Sequence, residues 1–313
     1  MTLAFVFPGQ GAQAPGMGRA LADAYSAAAE VFAAVDDALG ERLSDVIWGG
    51  DAEALTRTAN AQPALLATSM AAMAALREEG VGIDAAAFVA GHSLGEYSAL
   101  CAAGALDVAD AARLLRLRGQ AMQRAVAEGM GAMAALLGAD VGKAEALAAE
   151  AAEGEVLEAA NDNDPTQVVI SGHRGAVERA VALAPAHGIK RAVLLPVSAP
   201  FHCRLMAPAA REMAEALEGV DLVAPAVPVV ANVTASPVTD PSEIRRLLVE
   251  QVTGRVRWRE SVIAMAAAGV TEIWEVGAGK ALSGIVRRID RGLGTRNLGT
   301  PDEVRAAAAA LRA

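Results

Sequence analysis

The chain alternates short, wholly apolar runs with longer stretches in which apolar residues recur every three to four positions. Leu3 to Phe7 is an uninterrupted apolar run closed by Pro8-Gly9, with the length and bounds of a buried strand. Gly18 to Leu39 and Ala61 to Glu79 are Ala-rich stretches that stop at Gly40 and Gly80, and both predict packing helices. Ala87 to Ala90 predicts a short strand, and Leu94 to Ala103 a helix of small residues. A long helix is predicted over Val108 to Glu128, with Asp107 as its N-cap and apolar residues near helical spacing at Ala112, Leu115, Met122 and Val126.

After Gly131 the period shortens. Strands predicted over Ala132 to Leu137, Val156 to Ala160, Gln167 to Ser171 and Arg191 to Val197 enclose helices over Lys143 to Ala152 and Ala176 to Ala184. That β-α-β-β-α-β order is the split βαβ arrangement of ferredoxin-like domains. Residues 127–196 therefore read as a small domain inserted into a larger one made of residues 1–126 and 197–313. Asn161 to Pro165 carries strong turn chemistry and is expected to join the two middle strands. Helices predicted over Arg204 to Leu217, Pro241 to Val252 and Trp258 to Ala268 then alternate with strands over Pro228 to Asn232 and Glu272 to Val276. This alternation predicts an α/β fold with a largely parallel sheet. Arg257 and Arg259 stand at the start of the Trp258 helix, where the helix dipole disfavours positive charge.

Composition narrows what such a fold can do. With 54% hydrophobic but only 3% aromatic residues, the core must be built from Ala, Leu, Val and Met, which favours close helix packing. A formal charge of −10 argues against nucleic acid as a partner, because phosphate binding needs surplus Lys and Arg. No run approaches the roughly 18 apolar residues of a membrane span, and Met1 to Phe7 lacks the basic start of a signal peptide. No membrane partner is expected. Cys101 and Cys203 have no redox or metal-ligand spacing, so a reducing cytoplasm is the simplest location.

The candidate chemistry lies at Gly91-His92-Ser93-Leu94-Gly95, which has the G-x-S-x-G spacing of a nucleophile elbow between a predicted strand and a predicted helix. Ser93 is the candidate nucleophile; the alternative is a tight turn with an exposed serine. Gly9-Gln10-Gly11 is not a dinucleotide fingerprint, since Ala14 replaces its third glycine. Gly279-Lys280 is not a phosphate loop, since Trp274 stands where its first glycine belongs. A serine needs a base, most often histidine, and the chain has four. His92 adjoins Ser93 and is expected to support the elbow. His173 and His187 fall in the inserted domain. His202, in the loop that re-enters the large domain, is the best base by elimination and position. No orienting carboxylate stands out, and a main-chain carbonyl could take its place. Of Arg113, Arg116, Arg118 and Arg124, spacing alone selects none.

Seven segments taken together resemble one family. They are FPGQGAQ (7–13), GHSLGEY (91–97), RGQAMQ (118–123), AANDND (159–164), SAPFHC (198–203), VEQVTGRVRW (249–258) and EVGAGKALSG (275–284). In that order they look like the malonyl-CoA:acyl carrier protein transacylases and the related acyltransferase domains of fatty-acid and polyketide synthases. The resemblance covers essentially the whole chain. It implies a large α/β-hydrolase-like domain carrying the ferredoxin-like insertion. It also implies ping-pong transfer of malonyl from coenzyme A, through a Ser93 ester, to the thiol of holo acyl carrier protein.

On the same resemblance His202 serves as base in both half-reactions, and the Leu94 N–H with a donor from the Gln10 loop forms the oxyanion hole. Arg118 would pair with the malonyl carboxylate, a task suited to a guanidinium fork. Gln251 would hold His202 through its main-chain carbonyl and shape the pocket. Asn161 would lie near His202 at the cleft, His92 would count with it among the substrate-binding residues, and Phe201 would favour malonyl over branched acyl groups. Ala12 stands where many relatives have Ser. No cofactor is implied, because the coenzyme A thioester is a substrate, and a cytoplasmic monomer is expected. An acidic carrier needs a local positive surface, for which Arg204, Arg211, Arg255, Arg257, Arg287 and Arg288 are candidates. Two rivals remain: a serine hydrolase using the same Ser93 and His202 but passing the acyl group to water, and a non-catalytic binding module that keeps the fold. The presence of Ser93, His202 and Arg118 where the family needs them disfavours the second.

Overall fold

The computed structural model describes residues 1–312. Ten strands lie among the described residues: β1 (Leu3–Phe7), β2 (Ala86–Gly91), β3 (Gly131–Leu137), β4 (Leu157–Asp164), β5 (Gln167–His173), β6 (Arg191–Leu194), β7 (Val229–Ala231), β8 (Ser236–Val238), β9 (Glu272–Val276) and β10 (Gly294–Leu298). Six of them form one sheet in the order β10-β9-β1-β2-β7-β8, parallel except where β8 turns back on β7. β1 sits near its centre. Leu3, Phe5 and Phe7 join the core that also holds Leu65, Tyr97 and Trp274. Ala4 and Val6 join a second core with Trp258, Val262 and Leu282. Burial on both faces is the reason β1 reads as an unbroken apolar run and not as an alternation.

The helix Thr58–Glu78 is buried along most of its length, including Leu65, Leu66, Met70 and Met73. A helix apolar on all sides belongs inside a protein. The stretch from Gly18 to Leu39, expected as one helix, is two, Arg19–Ala24 and Ser26–Leu39. They part at Tyr25, which is extended at φ −132° and ψ 122° and whose hydroxyl donates to Glu79 at 2.9 Å.

The remaining four strands form an antiparallel sheet in the order β4-β5-β3-β6. The helices Val141–Ala152 and Arg174–Leu183 supply Leu147 and Val177 to a separate core with Leu136, Val168 and Ile170. Both parts of the expected architecture are present: the mostly parallel α/β sheet and the βαββαβ unit. Along β3, alternate residues face opposite ways. Ala132, Ala134 and Leu136 enter the small core, while Met133 and Ala135 line a cavity shared with the large sheet.

A second expectation is corrected. Asn161 to Asp164 do not form a turn; they are the buried end of β4, and Pro165-Thr166 makes the connection. Asp162, Asn163 and Asp164 find polar partners across the interface with the large sheet, in Arg259, His92 and Arg288, which removes the reason for a solvent-exposed turn. Asp162 is paired with Arg259 at 2.8 Å and Asp164 with Arg288 at 2.7 Å. The same pairing explains why Arg259 is tolerated at a helix start. Arg257 there is tied to Glu260. β4 bulges twice, and Asp162 N–H and Val256 N–H bond the facing backbone at 2.9 and 2.8 Å.

Candidate active site

β1 and β2 pair in parallel with Phe7 opposite Gly91, so the loops that leave them emerge side by side. The carboxyl edge of an open α/β sheet is where ligands bind. The His92 N–H closes the two loops by donating to the Phe7 carbonyl at 3.0 Å. Ser93 has φ 54°, in the left-handed region. Both glycines of the motif are required by contact. A Cβ on Gly91 would lie 1.9 Å from the Gly95 carbonyl, and one on Gly95 would lie 2.3 Å from the Phe7 oxygen. Asn232, just past β7, grips the turn from the other side. Its Nδ2 donates to the Gly91 carbonyl at 2.6 Å, and its Oδ1 accepts from the Ser93 N–H at 2.8 Å.

His202 comes from the loop after Pro200 and is 4% exposed. Its Nε2 lies 2.7 Å from Ser93 Oγ, and its Nδ1 lies 2.9 Å from the Gln251 carbonyl and 3.2 Å from that of Gly254. A carbonyl only accepts, so Nδ1 carries the proton and the Nε2 lone pair faces the serine hydroxyl. Gln251 lies in the last turn of the helix Pro241–Thr253, where the carbonyls have no partner within the helix. The third member of this triad is thus a helix C-terminus and not a carboxylate. Burial first, and then the Arg118 charge, push the His202 imidazole down to about 3, so it stands neutral and ready to accept.

The other three histidines sit elsewhere in the scheme. His92 Nε2 lies 2.9 Å from Asn163 Oδ1 and its ring tilts against Trp258, which places it as a brace between the elbow and β4. His173 accepts from the Val156 N–H at 2.9 Å, and His187 meets Glu150 at 2.9 Å.

Among the four arginines of the helix Val108–Arg124, the fold selects Arg118. Arg113, Arg116 and Arg124 pair with Asp110, Glu41 and Glu212. Arg118 is 1% exposed and, among the described residues, has no carboxylate within 4 Å. Its guanidinium donates to Gln62 Oε1 at 2.8 Å, Gln251 Oε1 at 2.9 Å and Ser93 Oγ at 3.2 Å, and its Nε has no partner. A buried cation held only by neutral groups is costly, and the missing anion is a specific absence.

Ser93, His202 and Arg118 open into a cavity of about 350 Å³ walled by Met133, Ala135 and Val169 of the small sheet and by Asn161, Leu195 and Phe201. Gln10 and Leu94 line it too. The Gln10 side chain is engaged with Thr58 Oγ1 at 3.2 Å, so its main-chain N–H is the donor this loop can offer an oxyanion. Neither that N–H nor the Leu94 N–H has a hydrogen-bond partner among the described residues. A larger cleft of about 630 Å³ around Met73, Cys101 and Asp107 contains none of these residues. No group of acidic, His and Cys residues among the described residues could hold a metal ion. Sequence reasoning missed Asn232, Gln62 and the buried Glu96. Asn232 had a faint signal as the polar residue that ends the apolar run Val229 to Ala231.

An elbow serine with a neutral histidine on its hydroxyl, beside a caged guanidinium, defines a site for moving an acyl group that carries negative charge. A family model described as the acyl transferase domain matches residues 4–289, and the chain belongs to that family. It is 48% identical over 304 residues to the malonyl CoA-acyl carrier protein transacylase of Escherichia coli strain K12, covering 97% of this chain and 98% of that protein. The acyl-carrier-protein-S-malonyltransferase of Bartonella henselae superposes with a TM-score of 0.98 at 53% identity, covering all of both chains. A malonyl-transacylase in complex with its holo type II PKS acyl-carrier protein superposes with a TM-score of 0.96 at 41% identity, covering 99% of this chain and all of that one.

Proposed function

We propose that this chain moves the malonyl group of malonyl-CoA onto the phosphopantetheine thiol of an acyl carrier protein through a malonyl ester of Ser93, supplying extender units for fatty-acid or polyketide synthesis. The observation that carries this is Arg118: a fully buried guanidinium without a carboxylate, 3.2 Å from the nucleophile Oγ. Neutral acyl groups leave that charge unpaired, whereas a malonyl carboxylate supplies the partner.

In the first half-reaction Ser93 Oγ attacks the thioester carbonyl as His202 Nε2 takes its proton, the C–S bond breaks, and the proton passes to the departing coenzyme A sulfur. In the second, the carrier thiol gives its proton to His202 and attacks the ester carbonyl, and Ser93 Oγ recovers the proton as it leaves. The main-chain N–H groups of Leu94 and Gln10 serve the oxyanion in both steps. Malonyl binding also assists the base. Arg118 is one of the charges that hold the His202 imidazole down, and a carboxylate on that guanidinium relieves the repulsion.

Phe201, next to the base and lining the cavity, limits the room beside the acyl α-carbon, and Asn161 and His92 complete the wall. The thioester carries its own activation, so the scheme needs no cofactor. Nucleophile, base and arginine come from one chain, in keeping with a working monomer, and the thiols of Cys101 and Cys203 are free, in keeping with a cytoplasmic location. No helix among the described residues is long and apolar enough to cross a membrane. For the carrier, Arg211 is the one candidate with no polar partner among the described residues. Arg204, Arg255, Arg257 and Arg288 are tied to Glu158, Glu145, Glu260 and Asp164, and Arg287 donates to Thr295.

Intact-protein mass measurement after incubation with malonyl-CoA tests the first step. A malonyl increment lost in Ser93→Ala is expected, and its absence from the wild type overturns the mechanism. Adding holo carrier protein then separates transfer from hydrolysis: malonylated carrier supports transfer, and free malonate alone makes the chain a hydrolase.

A further inference from the structure

Glu96 follows Ser93 by three residues and is a buried carboxylate at 3% exposure. Among the described residues it has no Lys or Arg within 4 Å. One of its oxygens, Oε2, accepts from the Asn232 N–H at 2.9 Å and from Gln251 Nε2 at 3.0 Å. The other, Oε1, takes no hydrogen bond from the described residues. Gln251 links it to Arg118: its Nε2 faces Glu96 and the Ser93 carbonyl, and its Oε1 accepts from the Arg118 guanidinium at 2.9 Å. The buried anion and the buried cation are thus held one amide apart.

That spacing has a consequence. A carboxylate directly on Arg118 would occupy the place an acyl carboxylate needs. One amide away, it offsets part of the arginine's charge and leaves the fork open. When a carboxylated acyl group arrives, two anions share one cation in a low-dielectric space, and the cheapest relief is to neutralise the resident one. Oε1, free of donors, can take a proton without disturbing either contact at Oε2.

Resting on the malonyl-transfer reading above, we propose that Glu96 is the specificity-setting counter-charge of Arg118, and that loading a carboxylated acyl group on Ser93 is coupled to uptake of a solvent proton at Glu96 Oε1 wherever that carboxyl starts ionised. Glu96 acts through Gln251 and Arg118 and touches no reacting atom, so it is a positioning residue. Burial already lifts its carboxyl to about 7, which puts the exchange within reach at neutral pH. The groups that face it change little near there. Tyr97 on its own helix is pushed up to about 12 by burial, Arg118 on the helix Val108–Arg124 stays charged, and His202 and His92 are held down by burial. Asn232 and Gln251 do not titrate.

The direction follows. Below about pH 7 Glu96 is neutral and Arg118 is fully available. Above it, the ionised Glu96 competes with the acyl carboxylate. The ratio of Ser93 acylation kcat/KM for malonyl-CoA over acetyl-CoA, in which effects on His202 common to both substrates cancel, should fall about tenfold from pH 6 to pH 8.5 in the wild type. Glu96→Gln keeps the size of the side chain and an acceptor for both contacts. Its ratio should be flat across that range, at the wild-type pH 6 value. Malonylation in weak buffer at pH 7.5 should take up protons beyond the acetyl-CoA control, and the excess should vanish in Glu96→Gln. A flat wild-type ratio overturns the proposal while leaving malonyl transfer intact, and so does the same slope in the variant. Failure of malonyl-CoA to label Ser93 at any pH instead overturns the proposed function.

Discussion

Ser93 and His202 meet at 2.7 Å across 109 positions of sequence, and both hold a left-handed backbone, φ 54° and φ 57°. Non-glycine residues in that region cost of the order of 1–3 kcal/mol each and persist where the surroundings hold them. Asn232 holds the one, and the carbonyls of Gln251 and Gly254 hold the other. The strain aims the hydroxyl and the imidazole at each other across the cavity. Because His202 is neutral above about pH 3, serine acylation should keep most of its pH 7.5 rate at pH 5, where a histidine of ordinary basicity would be largely protonated. Rapid-quench acylation by acetyl-CoA, which makes no demand on Arg118, followed across pH 5 to 7.5 checks this, and a decline with a midpoint near 6.5 would remove the neutral-base argument.

The same burial carries a stability cost with a defined sign. The folded imidazole titrates below its unfolded value of about 6.5, so the unfolded chain takes the proton first. Stability from this group is complete above pH 6.5 and is lost as pH falls below it, by roughly 1.4 kcal/mol per pH unit. Between pH 7.5 and pH 5 the wild type should therefore lose about 2 kcal/mol more than His202→Gln, read from urea unfolding of both proteins.

Arg118→Ala should lower malonyl loading by about a hundredfold to a thousandfold while acetyl loading changes far less, because only the malonyl carboxylate is left buried without its partner. Arg118→Lys should recover only part of this. An ammonium cannot hold Gln62, Gln251 and a carboxylate in one plane as the fork does. Acylation rates of the three proteins with both thioesters decide it; equal losses for malonyl and acetyl would take Arg118 out of carboxylate recognition.

Elements with a strong pattern were legible in the chain. β1 and β9 fall where their apolar runs predict, and Asp107 caps its helix by accepting from Ala109 and Asp110. β10, with only Leu298 buried among Gly294 to Leu298, carries too little apolar signal to be read. Asn161 to Asp164 read as a turn because turn chemistry and buried interface polarity use the same residues, and the partners that decide between them, Arg259, Arg288 and His92, are distant in sequence. Within the site, spacing gave the elbow and elimination gave His202. Arg118 needed the family resemblance, since what sets it apart from Arg113, Arg116 and Arg124 is burial.

Asn232→Ala removes both of the side-chain hydrogen bonds that clamp the elbow, to the Gly91 carbonyl and from the Ser93 N–H. Each leaves a buried backbone group unpaired, at about 1–3 kcal/mol. The variant should unfold at lower urea and should also load malonyl and acetyl groups more slowly by similar factors, because the nucleophile itself is loosened. A loss confined to malonyl would instead connect Asn232 to Arg118 through Gln251.

The two ion pairs of β4 should differ in weight although both bury an aspartate completely. Asp162 depends on Arg259, which meets it through Nε at 3.1 and 3.0 Å and through its terminal nitrogen at 2.8 Å. Asp164 keeps the N–H and hydroxyl of Thr166 at 2.8 and 2.9 Å when Arg288 is gone, and Arg288 is itself 48% exposed. Arg259→Met should therefore cost about 3–5 kcal/mol, the range for stripping a partner from a buried charge. Arg288→Met should cost less, about 1–3 kcal/mol, because Thr166 still donates twice to the buried carboxylate. Because Asn161 and Asn163 are carried on the same strand, Arg259→Met should also raise the KM for malonyl-CoA while leaving kcat largely intact. Denaturation midpoints with steady-state kinetics on both variants test the difference, and equal losses of stability would show that Thr166 does not support Asp164.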